Sequence, residues 1–256
     1  MYKYVLILTV FIVVIIYYYR HYFARFFSLK FNRCQSLNEL DYLLCNNNIF
    51  IENDDMSGPA NSSRLGISWE GWMEPYIKKY CHSNAIAIDI GAHIGIHTQK
   101  MAEYAGYVIA FEPNPKTFKT LVLNTALYPN VHILNLGVSD KNKMSRFKQD
   151  PVTSLSKIDN TCPHQLNKED GLYKEIVVEL IALDKLFSSK SSVPISFIKI
   201  DIEGHELPAF KGMKNLIDNH RPVIIYEDHT GDNTRYLQEK HSYKITKINE
   251  TNFLAY

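Results

Sequence analysis

The sequence lacks a surplus of either charge: 28 Lys and Arg residues stand against 27 Asp and Glu among 256 residues. That balance gives no broad basic face, so no nucleic-acid partner is expected. Zinc-type Cys or Cys–His spacings are also missing. The four cysteines, at 34, 45, 81 and 162, fit free thiols in a reducing compartment better than a disulfide framework, although their even number leaves pairing open. A third absence bears on the ligand. The stretch IAIDIGAHIGIHT at 86–98 holds Gly91 and Gly95, but His93 stands where a dinucleotide fingerprint has its middle glycine. Without the full pyrophosphate cradle, a nicotinamide-dependent oxidoreductase becomes a minor alternative.

What surrounds that turn is specific. An apolar strand over 86–90 runs into it, a helix follows to about residue 105, and a second strand over 107–111 ends in Glu112, 21 residues after Gly91. Glycines let the backbone turn sharply and approach a ligand, while the helix N-terminus offers unpaired N–H groups and positive potential. A carboxylate at the tip of the next strand is placed to accept two ribose hydroxyls. S-adenosylmethionine matches a turn of this kind. Its carboxylate and amine would meet the glycines, its ribose would meet Glu112, and Asp140 would accept from the adenine amino group.

The N-terminus carries an uninterrupted apolar and aromatic run over residues 4–19, YVLILTVFIVVIIYYY, between Lys3 and Arg20. The run is short for a bilayer, but residues 22–24 extend it while Arg20 snorkels, and Tyr17, Tyr18 and Tyr19 suit an interfacial belt. No small-x-small cleavage site follows, so a retained transmembrane helix is favoured over a cleaved signal peptide. Arg20, Arg25, Lys30 and Arg33 outnumber Lys3 and the terminal amine, which places the catalytic part on the cytoplasmic side in preference to a lumen. The expected organisation is an anchor over 1–24, a juxtamembrane segment and linker over 25–68, and a catalytic domain over 69–256. Within the linker, 34–45 reads as a short helix and 53–64 as turns.

Beyond the second strand the chain continues to alternate. Strands are expected at 131–134, 176–180, 194–200 and 223–226, with helices at 69–80, 182–186, 207–217 and 234–240 and a further one that Asn114 caps and Pro115 opens. An irregular hairpin and loop spans 141–175, and an antiparallel hairpin over 243–248 and 252–255 closes the chain. Such alternation predicts a mostly parallel α/β sheet covered by helices on both faces. Ligands in these sheets sit beyond the carboxyl ends of the strands. Five polar clusters fall there: Asp89 with Gly91, Glu112, Ser139 with Asp140, Asp201 with Glu203, and Glu227. Asp201 and Glu203, joined by His205, would either act as general base on a substrate hydroxyl or hold a divalent cation. Lys199 sits where a strand buries its side chain, so its amine must pair with a carboxylate or reach the cleft. Glu70 and Glu74 read as surface charge before cleft residues.

Taken together, IAIDIGAHIGIHT, VIAFEPNP, LGVSD, ISFIKIDIEGHELPAFKGM and RPVIIYE resemble the successive motifs of the FkbM-type methyltransferases, over about residues 69–229. The resemblance implies a Rossmann-like class I methyltransferase fold using S-adenosyl-L-methionine. By it Asp89, Gly91 and Gly95 would form the cofactor turn, Glu112 would hold the ribose, and Asp201 with Glu203 would stand at the reacting end. Methyl transfer to an oxygen of a sugar or other small hydroxylated acceptor is implied. The chain departs from the family pattern at His93, where Asn is usual, and at His205, where Ala is usual. The N-terminal run lies outside the family core and points to a membrane-associated glycan or lipid-linked acceptor. A catalytically silent, membrane-tethered binding module is the rival reading. It would have been favoured by loss of Asp89 or Glu112, and both are present.

Overall fold

Five short β-prone runs build the middle of the molecule because each is largely apolar. β4 (Ile86–Ile90), β5 (Tyr107–Phe111), β6 (Val131–Leu134), β11 (Ile195–Ile200) and β12 (Val223–Glu227) lie parallel in one sheet. The computed structural model describes residues 35–36, 41–45, 49–149, 156–159, 174–187 and 193–256. Two C-terminal strands extend the sheet, β14 (Asn252–Ala255) antiparallel to β12 and β13 (Ile245–Lys247) antiparallel to β14, and give the order β13-β14-β12-β11-β4-β5-β6. The expected mostly parallel sheet and terminal antiparallel hairpin are both present.

Helices cover both faces. On one side α2 (Glu74–Tyr80), with Met73 just before it, and α3 (Ile96–Tyr104) pack Met73, Ile77 and Met101 against Ala87, Val108 and Phe197. On the other, α6 (Glu206–Gly212) and α7 (Lys214–His220) bury Phe210, Met213 and Ile217 against Ile88, Ile198 and Ile224. The single helix expected over 207–217 is thus two, broken at Met213, whose φ of −124° is not helical. α4 (Pro115–Thr125) begins where the sequence suggests: the Asn114 side chain caps Lys116 N at 3.1 Å and Pro115 opens the first turn. α8 (Asp232–His241) completes the layer.

The segment before the sheet is more ordered than expected. In place of a helix over 34–45, β1 (Gln35–Ser36), β2 (Tyr42–Cys45) and β3 (Ile49–Glu52) form a small antiparallel sheet. Cys45, Ile49 and Ile51 bury against Ala60 and Ile94 of the domain. The stretch expected as turns contains α1 (Gly58–Leu65), started by a Ser57 cap and ended at Gly66 in a left-handed conformation. The 141–175 excursion holds β8 (Lys143–Gln149), β9 (Lys157–Asp159) and the start of β10 (Lys174–Ile181). These pair with β7 (Gly137–Val138) in a sheet of order β7-β10-β8-β9 that buries Phe147, Val178 and Leu180. A short helix, α5 (Leu183–Leu186), follows β10.

Two sequence expectations are corrected. Cys81 is free and buried, but Cys45 is disulfide-bonded, with its partner outside the described residues. The anchor expected over 1–24 also lies outside the described residues. Among the described residues no helix is long and apolar enough to cross a membrane. The longest of them, α4, has 11 residues, against about 20 needed to span the hydrocarbon. The expected single-pass membrane localisation with a cytoplasmic catalytic part is therefore corrected to what the described residues carry, an α/β domain with no membrane-spanning helix among them.

Candidate active site

At the carboxyl ends of β4, β5, β11 and β12 the strand order changes direction, and the crevice there is the usual ligand position in an open α/β sheet. Asp89 and Lys199 are direct partners across the central pair β4–β11. This register buries two charges in the middle of the sheet and explains why neither is stranded. Lys199 Nζ lies 3.4 Å from Asp89 Oδ1 and 3.6 Å from Asp201 Oδ2, and it donates to the Gly91 carbonyl at 2.9 Å. Burial alone would favour loss of its proton, but Asp89 and Asp201 outweigh that and hold the amine well above the ordinary lysine range. The Thr98 hydroxyl donates to Asp89 Oδ2 at 2.6 Å. Lys199 therefore ties two strand ends to the glycine turn, and its side chain resolves as a paired one.

The turn itself permits no larger residue at its first glycine. Gly91 has φ +81°, and a Cβ there would stand 1.9 Å from the Asp201 carbonyl oxygen. Gly95, at φ +91°, faces Leu121 of α4, which a Cβ would meet at 2.7 Å. Between them His93 adopts φ 51° and donates its backbone N–H to Glu112 Oε2 at 2.9 Å. Glu112 Oε1 accepts from Asn114 N at 2.8 Å. Each carboxylate oxygen thus has one fixed donor and a further lone pair for a ligand hydroxyl. Burial pushes the Glu112 carboxyl up to about 7, against the lowering effect of those two backbone donors. The tight turn and the acidic group beside it fit the amino-acid and ribose ends of S-adenosylmethionine.

One cavity of about 270 Å³ joins this turn to an acidic region. Leu136, Gly137, Val138 and Phe111 line it, and so do Trp69, Glu70, His97, Asp201, Glu203 and Glu227. Phe147, Lys157 and Ile158 of the small sheet also face the cavity. Glu203 is held at φ 55° beside Gly204 at φ +91°, in a turn that the Glu206 carboxylate fixes by accepting from Ile202 N at 3.2 Å and Gly204 N at 3.1 Å. Burial, then repulsion from Asp201 and Glu227, pushes Glu203 up to about 7. Glu227 is likewise raised, first by burial and then by Asp201. Among the described residues, three of the five non-glycine positions with positive φ are Glu70, His93 and Glu203, all on the cavity wall. Backbone strain of this kind gathers at functional sites.

The remaining candidates do not line this cavity. His205 is buried with Nε2 2.9 Å from the Ser139 hydroxyl, which also donates to Asp140 Oδ1 at 3.0 Å. Burial pushes His205 down to about 4, so its imidazole is neutral. These three residues join the end of β7 to the start of α6, and the last residue of that helix also approaches β7 closely: a Cβ on Gly212 would stand 1.8 Å from the Ser139 carbonyl oxygen. Sequence reasoning gave too little weight to Glu70. It pairs with His97 at 3.0 Å, and although burial opposes ionisation, the His97 hydrogen bond holds its carboxyl below the usual range. The only sequence signal was that Glu70 sits next to Trp69. Among the described residues no group of three or more His, Cys, Asp or Glu side chains is arranged to hold a metal ion.

A seven-stranded sheet of this order, with a glycine turn after its central strand and an acidic tip on the next, defines a Rossmann-like methyltransferase fold. The chain belongs to the FkbM methyltransferase family: the model of the methyltransferase FkbM domain matches residues 89–246. That family depends on S-adenosylmethionine. The hexuronic acid methyltransferase AglP of Haloferax volcanii is 34% identical over 167 residues, spanning 63% of this chain and 65% of that protein. Methyltransferase 1 of Beauveria bassiana is 24% identical over 171 residues, 58% of this chain and 67% of that protein. Among solved structures, a methyltransferase FkbM from Methylobacillus flagellatus superposes with a TM-score of 0.47 at 18% identity, covering 68% of this chain and 44% of its own.

Proposed function

We propose that this protein is an S-adenosylmethionine-dependent O-methyltransferase acting on a hydroxyl of a sugar or glycan. The observation that carries the reading is the continuity of one cavity. The glycine turn and Glu112 line it together with Trp69, Asp201, Glu203 and Glu227. The cofactor, when bound, supplies an electrophilic methyl group on a sulfonium. The chain's own contribution is alignment and proton handling. Gly91 and Gly95 let the backbone approach the amino-acid end, and Glu112 accepts from the ribose hydroxyls. Asp89 acts through Lys199, holding the turn in place.

Asp201 and Glu203 accept hydrogen bonds from the acceptor and fix which hydroxyl faces the methyl group. Glu203, titrating near neutrality, suits a general base that takes the hydroxyl proton as the new C–O bond forms. Trp69 offers a flat apolar face to a sugar ring. Ser139, Asp140 and His205 set the wall formed by residues 136–138 from behind. The hexuronic acid named for the archaeal relative supports a sugar as the acceptor class.

The test is a transfer assay with methyl-labelled S-adenosylmethionine and neutral, amino and uronic-acid oligosaccharides, with and without a chelator. Label appearing as a methyl ether on one oligosaccharide class is the expected result. Label on protein or nitrogen alone would overturn the sugar O-methyltransferase reading.

A further inference from the structure

The family match begins at residue 89, yet the turn that would hold the cofactor is fastened to residues well before it. Asn124, on the last turns of α4, is 3% exposed and its amide is fully used. Oδ1 accepts from Phe50 N at 2.6 Å, while Nδ2 donates to Phe50 O at 3.0 Å and to Ile94 O at 2.7 Å. The three contacts fix the amide orientation, since exchanging O and N would set donor against donor and acceptor against two carbonyls. Gln99 Nε2 donates to the Asn124 carbonyl at 2.6 Å, tying the same residue to α3. Ile94 belongs to the Gly91–Gly95 turn, and its side chain is buried with Cys45, Ile49, Ile51 and Ala60 of the N-terminal hairpin and α1. Asp55, just after β3, is buried and acts electrostatically on His93 in that turn.

We infer that Asn124 is a positioning residue for the cofactor, clamping the β2–β3 hairpin onto the glycine turn so that residues 42–45 and 49–57 hold the binding site in place from behind. The inference rests on the cofactor reading proposed above. Asn124 does not line the cavity; it acts by fixing where the Ile94 carbonyl, and with it the turn between Gly91 and Gly95, stands. Losing the clamp frees both the hairpin and the turn, so the cofactor must order them on binding.

The experiment measures S-adenosylhomocysteine affinity by calorimetry and thermal stability for the full chain and three variants. Asn124→Leu removes all three hydrogen bonds. Asn124→Asp keeps the acceptor for Phe50 N and loses both donors, and it serves if the leucine variant does not fold. Asn130→Ala is the control: Asn130 Nδ2 donates to Ala102 O and Ala105 O at the far end of α3, at 2.9 and 3.0 Å.

Both Asn124 variants are expected to bind roughly tenfold more weakly, with KM for S-adenosylmethionine raised and kcat little changed, while Asn130→Ala melts earlier but binds as wild type. Wild-type affinity in both Asn124 variants, or an equal loss in Asn130→Ala, would overturn the clamp and leave the cofactor reading intact. A wild-type chain that binds no S-adenosylhomocysteine would overturn the cofactor reading and the clamp with it.

Discussion

Glu112→Gln gives the sharpest separation between a ribose-binding carboxylate and a merely structural one. The wild-type side chain receives backbone N–H groups from His93 at 2.9 Å and Asn114 at 2.8 Å. Glutamine keeps one acceptor oxygen and turns an amide donor towards one of those N–H groups, so the ribose loses a charged partner. Hydrogen bonds to a charged group contribute about 1.5–3 kcal/mol, which is roughly a 10- to 150-fold loss in cofactor affinity. The pH dependence is a second and independent signature. In the free protein the Glu112 value is raised from 4.5 to about 7. Its contribution to folding stability is therefore complete below the ordinary value and is lost as pH rises through about 7. Being well buried, it corresponds to about 3 kcal/mol of preference for the neutral form.

Ribose hydroxyls favour the ionised carboxylate, so cofactor binding must release a proton below about pH 7. Affinity should then rise by up to about tenfold per pH unit on approach to neutrality and level off above it. Calorimetry with S-adenosylhomocysteine, in buffers of different ionisation enthalpy, reads both the affinity and the proton released. A Glu112→Gln variant binding within about twofold of wild type would remove Glu112 from the ribose site, and a wild-type affinity unchanged between about pH 6 and about pH 8 would show that binding is not linked to its ionisation there.

Two further outcomes follow from the same geometry. Lys199→Met should destabilise the fold by about 3–5 kcal/mol, because it leaves Asp89 buried in the sheet without its cation; denaturant unfolding measures this, and a midpoint near wild type would show that the pair is not held as described. Asp201→Asn should lower kcat far more than it changes cofactor affinity, and equal turnover would retire Asp201 from the reacting end.

The strand-tip positions were legible in the sequence because they obey local rules. An apolar run of four to six residues buries itself in a parallel sheet, a glycine follows where the chain must turn at positive φ, and the first polar residue after the run emerges at the carboxyl edge. Gly91, Gly95, Glu112, Asp201 and Glu203 all follow from that grammar. The terminal antiparallel hairpin was legible for the same reason. The segment over 34–64 was not: the burial of its apolar residues depends on Ile94 and Asn124, which are distant in sequence. A pattern read over a dozen residues cannot register a partner 74 positions away. His205 went astray in the opposite sense. At the start of a helix beside two carboxylates it has the composition of a catalytic group, but packing turns its ring onto Ser139.

The sequence by itself determined the alternation of strands and helices, the glycine turn, the acidic strand tips and the likeness to a methyltransferase family. These are properties of neighbouring residues and of periodicity. The tertiary structure alone decided which charges meet. It set Lys199 opposite Asp89 through sheet register, brought Glu70 and His97 into contact from segments 27 residues apart, and folded the N-terminal hairpin beneath the turn. Register and docking depend on side chains that become neighbours only after the chain has closed its loops, and no local pattern records that closure.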